Sequence, residues 1–238
     1  METKIISHRG RTSNKGVDNT LGSINNAINL KIEIVEVDIR RTKDSQIICF
    51  HDPEIDEKRI SELDYSEIIE INSHIPTLEQ VLWSAKDKID IEVELKESGY
   101  EKDVISIVLD YFGYDNFVMK SFDANVVRKI KSIDEKISTG LLVGSSFSFS
   151  QFFSVIKESF TCEAFDKSRA DFISPYYKIF HAGWFFRFSR RKIPIQVWTV
   201  NDEEVIRTLI NQQVHSIVTD VPEVALEIRE SLLNVESK

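Results

Sequence analysis

The sequence predicts an α/β fold, a single (β/α)8 barrel occupying residues 1–238 as one domain. Three observations lead there. Short β-branched runs alternate with amphipathic stretches along the whole chain, as parallel strands joined by crossover helices require. A length of 238 residues suits one barrel, and no linker-like stretch divides it. Two strand runs carry carboxylates on one face and branched residues on the other, and a barrel tolerates a charged inward face only near its open C-terminal mouth. The alternative architecture is an open doubly wound sheet.

Strands are expected at Lys4–Ser7, Ile34–Ile39, Ile89–Leu95, Phe117–Ser121, Ser138–Val143, Phe172–Ser174, Ile195–Val200 and Ser216–Thr219. Between them lie helical patterns. Leu21, Ile24, Ala27 and Ile28 share one helix face, opened by a capping Asn19 or Thr20. Val205, Ile206, Leu209 and Ile210 follow a capping Asp202, and Pro222 opens a last helix at a first helical position.

Residues 32–51 break the alternation. Too few positions separate Asp38 from Ile47 for a parallel crossover, so the segment reads as a β-hairpin extending strand 2. A two-residue Asp44-Ser45 turn places Asp38 opposite His51. A slip of one residue moves the two to opposite faces.

Composition narrows the function. Apolar residues make up 42% and charged residues 29%, a globular balance. The net charge of -9 excludes non-specific nucleic-acid binding, which needs a basic footprint. Cys49 and Cys162 read as reduced, buried thiols. The N-terminal METKIISHRG lacks the apolar stretch of a signal peptide, and no window approaches the ~20 apolar residues of a membrane span. A soluble, cytoplasmic protein is expected.

In Val35-Glu36-Val37-Asp38-Ile39 the two carboxylates share one face. Glu92, Glu94 and Lys96 share one face of the next parallel strand. Buried acids need compensation. Ion pairing with Lys96, Arg40 or Arg41 is one solution; a hard-cation site is the other. Inward acids on two strands with a facing histidine favour the cation, and all-oxygen ligands suit Mg2+ or Ca2+. His8-Arg9-Gly10 leaves strand 1 where barrel enzymes place catalytic groups. With His51, two imidazoles and a guanidinium surround the acids, a set suited to phosphodiester cleavage.

The segments SHRG (7–10), DNTLGSINNAI (18–28), VEVDIRRTKDSQIICFHD (35–52), IPTLEQVL (75–82), IEVELK (91–96), KSFD (120–123), VWTVND (197–202) and IVTDVPE (217–223) carry a resemblance. In this order, across nearly the whole chain, they are similar to the glycerophosphodiester phosphodiesterase family, which is related in fold to phosphatidylinositol-specific phospholipase C. The resemblance implies hydrolysis of a small glycerophosphodiester to sn-glycerol 3-phosphate and an alcohol. It implies Glu36, Asp38 and Glu94 as ligands of one divalent cation, and His8 and His51 as the general acid–base pair. Arg9 and Lys96 would contact phosphate, Trp198 would lie beside the glycerol, and Asn19 would order the site. Other readings are a lysophospholipase D-type lyase forming a cyclic phosphate, and a degenerate barrel acting as a binding module.

Three departures from the family pattern stand out. Asp18 replaces a glutamate. Glu92 stands where asparagine is usual and could pair with Lys96. Asp52–Ile75 is short and acidic where the family carries a longer segment that often walls the substrate pocket. Elsewhere, Phe180–Arg191 reads as a barrel helix or a weak membrane-surface patch, and residues 144–154 as a lid or core. His74, His181 and His215 match no motif, and Asp220 reads as a cap before Pro222 rather than a ligand. The oligomeric state is left open.

Overall fold

A computed structural model describes residues 2–13, 16–144, 162–180 and 187–236. The strands are β1 (Lys4–Ser7), β2 (Ile34–Arg41), β3 (Ile47–Cys49), β4 (Glu54–Ile55), β5 (Lys58–Arg59) and β6 (Asp90–Leu95). They continue with β7 (Phe117–Ser121), β8 (Thr139–Val143), β9 (Phe172–Pro175), β10 (Gln196–Val197) and β11 (Ser216–Thr219). The described helices are α1 (Leu21–Asn29), α2 (Tyr65–Ile71), α3 (Leu78–Ala85), α4 (Glu101–Leu109), α5 (Ala124–Ile133), α6 (Glu163–Ser168), α7 (Glu203–Asn211) and α8 (Pro222–Glu236).

Strand order is β10-β11-β1-β2-β6-β7-β8-β9, with every neighbouring pair parallel. Parallel bridges Ile173↔Ile195 and Tyr176↔Trp198 join β9 back to β10 and complete the circuit. This is the eight-stranded α/β barrel the alternation predicts. The penultimate strand is shorter than expected: only Gln196 and Val197 form a regular ladder. Gly140 faces the lumen of β8, where a Cβ would collide with the Phe172 ring, so glycine makes room for an aromatic that fills the barrel.

Helix starts follow local chemistry. Thr20, not Asn19, caps α1: its hydroxyl accepts from Ser23 N at 3.2 Å while Ser23 Oγ accepts from Thr20 N at 3.1 Å. Such a cap contributes about 1 kcal/mol. Ile24 and Ala27 then bury completely against Val35 and Val37 in the barrel's outer core. Asp202 caps α7 through Val205 N, and Pro222 is the first residue of α8.

β3 pairs antiparallel with β2, so the hairpin is present, but its register differs from expectation. Ile39 pairs with Cys49 and Arg41 with Ile47. Asp38 therefore lies opposite Phe50, whose N–H donates to Asp38 O at 3.0 Å, and not opposite His51. The cause is a three-residue turn. Thr42 N donates to Gln46 O, and Ser45 takes the left-handed conformation at φ 69°. The following segment packs on the face of β3 that carries Ile48, burying Ile48, Ile60, Leu63, Ile68 and Ile75 in a small separate core.

Candidate active site

The barrel's C-terminal mouth has a charged half and an aromatic half. Strand period decides which side chains enter it: Glu36, Asp38 and Arg40 share one face of β2, as do Glu92 and Glu94 of β6 with Lys96 just past its end. The ladder pairs Glu36 with Glu92 and Asp38 with Glu94.

The deepest layer is an ion pair. Lys120 on β7, 2% exposed on its side chain, lies 2.7 Å from Glu92 Oε2 and 3.6 Å from Glu36 Oε1. Burial pulls the Lys120 ammonium down, but Glu92, Glu36 and Glu94 outweigh it and hold the ammonium above its ordinary range. Gln196 Nε2 donates to the other Glu92 oxygen at 2.8 Å. Glu92 is thus paired with Lys120 and not with Lys96. Lys120 was not singled out in the sequence, although a signal existed: it is a lone lysine in an apolar strand next to the acid-bearing one.

Above that pair lie Glu36, Asp38 and Glu94, all buried, each with a carboxylate oxygen within 4.8 Å of the others. Arg9, in the left-handed region at φ 57°, turns its N–H onto Glu36 Oε2 at 3.0 Å and ion-pairs through Nε with Asp38 Oδ2 at 3.0 Å. Asn19 grips Asp38 twice: Nδ2 donates to Oδ2 at 2.9 Å, and Asn19 Oδ1 accepts from Asp38 N at 3.0 Å. Lys96 Nζ lies 2.6 Å from Asp38 Oδ1 and also contacts Glu94 Oε1. Burial raises the Asp38 carboxyl, but Lys96 and Arg9 outweigh it and hold Asp38 well below the usual range. Glu94 is pushed up to about 7 by burial, reinforced by Asp38 and Glu36 against the pull of Lys96.

These residues fit a divalent cation. Glu36 Oε1 is buried and accepts no hydrogen bond. Glu94 resists ionisation because it is buried and because Asp38 and Glu36 crowd it with like charge, and a dication would offset both.

The histidines flank the cluster, each beside a carboxylate. His8 Nδ1 is 2.7 Å from Asp220 Oδ1, and Asp220 Oδ2 accepts from Asn201 Nδ2 at 2.7 Å. Burial raises the Asp220 carboxyl, yet His8, Asn201 and Arg11 lower it to about 2. Asp220 is therefore a partner of His8, correcting its reading as a simple cap. His51 Nδ1 is 2.7 Å from Asp52 Oδ1. Burial lowers the imidazole's pKa, Lys96 and Arg9 lower it further, and Asp38 and Asp52 oppose them. His51 lies beyond the paired part of β3, where its carbonyl accepts from Arg40, the residue next after Asp38 on the same face of β2. Asp18 keeps its arginines: Arg11 Nε and Nη2 donate to it at 2.5 and 2.6 Å, and Arg9 Nη1 lies 3.4 Å away.

Across the mouth, Trp198 donates its indole N–H to Ser174 O at 2.8 Å. Its ring meets Phe122 edge-on at 5.3 Å and Tyr176 at 5.2 Å. β7 and β10 are not neighbours, so Phe122 and Trp198 meet only by reaching over the lumen. His74 is exposed, and His215 stacks on Phe172, away from the cluster. Residues 145–161 and 181–186 lie outside the described residues, and with them His181, most of the 144–154 segment and half of Phe180–Arg191.

A (β/α)8 barrel with acids, an arginine and two carboxylate-paired histidines gathered at its C-terminal mouth has the make-up of a barrel enzyme. More particularly, residues 8–224 match the Glycerophosphoryl diester phosphodiesterase family, and the chain belongs to it, an enzyme of the glycerophosphodiester phosphodiesterase class. YhdW of Bacillus subtilis (strain 168) is 24% identical over 239 residues, covering 92% of this chain and 95% of that one. A glycerophosphodiester phosphodiesterase from Parabacteroides distasonis shares the fold at TM-score 0.83, 22% identity and 98% coverage of each chain. An Oleispira antarctica phosphodiesterase, solved with its product sn-glycerol-3-phosphate, matches at TM-score 0.82 and 19% identity over 96% of this chain and 97% of that one. Among the described residues, no helix is long and apolar enough to cross a membrane.

Proposed function

We propose that the protein hydrolyses a glycerophosphodiester to sn-glycerol 3-phosphate and an alcohol, with Glu36, Asp38 and Glu94 holding one divalent cation, Mg2+ or Ca2+. The observation that carries this reading is the buried carboxylate cluster flanked by His8–Asp220 and His51–Asp52. When bound, the cation supplies Lewis-acid polarisation of a phosphoryl oxygen. Arg9 adds positive charge where the phosphoryl oxygens gain negative charge, and Lys96 takes part in the same contact. With each Nδ1 engaged by a carboxylate, proton transfer falls to the two Nε2 atoms. One histidine removes the proton of the attacking water as its oxygen bonds to phosphorus. The other protonates the alkoxide as the phosphorus–oxygen bond to the alcohol breaks. Each transfer is worth roughly 10²–10⁴ in rate.

Trp198 lines the glycerol side of the mouth, and the apolar ring faces there suit its C–H edges. Asn19 fixes Asp38 in its ligating orientation.

The test is product identification by phosphorus NMR on glycerophosphocholine, glycerophosphoethanolamine and glycerophosphoglycerol with Mg2+ or Ca2+. The expected product is sn-glycerol 3-phosphate. A cyclic phosphate as the final product contradicts hydrolysis, and no turnover of any of the three contradicts the substrate class.

A further inference from the structure

We infer that Arg40, braced by Glu97, is a positioning residue that sets where the His51 imidazole sits. This rests on the proton-transfer role proposed for His51. Strand β3 ends at Cys49, and the last backbone bond tying the hairpin to β2 here runs from Phe50 N to Asp38 O. His51 comes next, beyond the ladder. Its carbonyl is gripped instead by a side chain: Arg40 Nε and Nη2 both donate to His51 O, at 2.9 and 2.7 Å.

Arg40 stands two residues past Asp38 on the same face of β2 and is only 8% exposed. Its remaining donor arm, Nη1, pairs with Glu97. Glu97 Oε2 lies 3.1 Å from the Tyr100 hydroxyl, which is itself 3.1 Å from Ile39 O, and Tyr100 is buried. The guanidinium is thereby committed on both sides and is not available to phosphate. Two donors converging on one oxygen fix direction as well as distance.

Glu97 follows Lys96 in the chain. The framework of β2 and β6 that carries Asp38, Glu94 and Lys96 therefore also carries His51 through Arg40. A freely moving His51 turn would lose that register, and displacements of about 1 Å at a reacting group cost up to ~10²-fold in rate.

Arg40→Met keeps the stem and removes the donors. Assayed with Mg2+ on glycerophosphocholine, it is expected to lower kcat about 10–100-fold, the usual cost of a supporting contact, with KM unchanged. In a His51→Ala background the same change is expected to cost nothing further, because it acts through that ring. The His51 imidazole resonances of the substrate-free protein should shift in Arg40→Met while those of His8 stay. If Arg40→Met does not fold, Glu97→Ala leaves the fork unbraced, and its smaller kcat loss should likewise vanish in the His51→Ala background. An equal loss in both backgrounds, a loss confined to KM, or unmoved His51 resonances overturns the clamp. Full activity in His51→Ala overturns both the clamp and the role of His51. A fully active Arg40→Met in an enzyme that needs His51 overturns the clamp alone.

Discussion

His8 Nδ1 and Asp220 Oδ1 sit 2.7 Å apart although 212 positions separate them in the chain. Only barrel closure, with β11 paired to β1, brings them together. With the carboxylate on Nδ1, the proposed proton transfer at His8 falls to Nε2.

Asp220→Asn keeps the shape and removes the charge, and kcat is expected to fall about 10–100-fold. Stability should respond to pH as well. The folded Asp220 carboxyl titrates at about 2 against an ordinary 3.8, so its ionised form favours the fold. The gain, about 2 kcal/mol, is complete above the ordinary value and is lost as pH falls through about 2. Urea unfolding at pH 7 should show the variant less stable by that amount, with the gap closing near pH 2.

Lys120→Met should be among the most damaging substitutions away from the histidines. It leaves Glu92 buried without its ammonium and brings Glu36 nearer to uncompensated charge. Removing one partner of a buried pair costs about 3–5 kcal/mol. The Lys120→Met/Glu92→Gln double variant should recover part of it in thermal unfolding.

The His51 pKa, lowered by burial and by Lys96, keeps the ring neutral to lower pH than a free imidazole. If His51 is the base, the acid limb of kcat/KM falls below pH 6.5, the ordinary value. Asp52 raises this pKa, so Asp52→Asn should move the limb lower still. A limb moving upward in that variant contradicts the assignment.

Cation binding should be measurable without turnover. A saturating Mg2+ or Ca2+ ion at 100 times its Kd stabilises the fold by about 2.7 kcal/mol, and Glu36→Gln should abolish most of that shift in Tm. Glu94 titrates near 7, so protons compete for the site and affinity should fall as pH drops through about 7.

The barrel was legible because the strand period is short and locally written, and Glu36, Asp38 and Glu94 were legible because they break an apolar pattern. The hairpin register was not. It turns on Ser45 adopting a left-handed conformation without being glycine, which lengthens the turn by one residue. Lys120 was overlooked because its partner Glu92 lies on another strand. Asp220 is harder to read, because Asp-x-Pro is also a capping pattern and only closure of the sheet reveals the histidine opposite.

In the proposed mechanism the two histidines and the acid cluster together carry phosphodiester hydrolysis. Coupled detection of glycerol 3-phosphate release from glycerophosphocholine tests it, comparing the wild-type enzyme in Mg2+ and in EDTA with His8→Ala and His51→Ala in Mg2+. Turnover in Mg2+ alone, with loss of at least about 10²-fold in EDTA and in each variant, is the expected result. Full activity in EDTA or in either variant contradicts it.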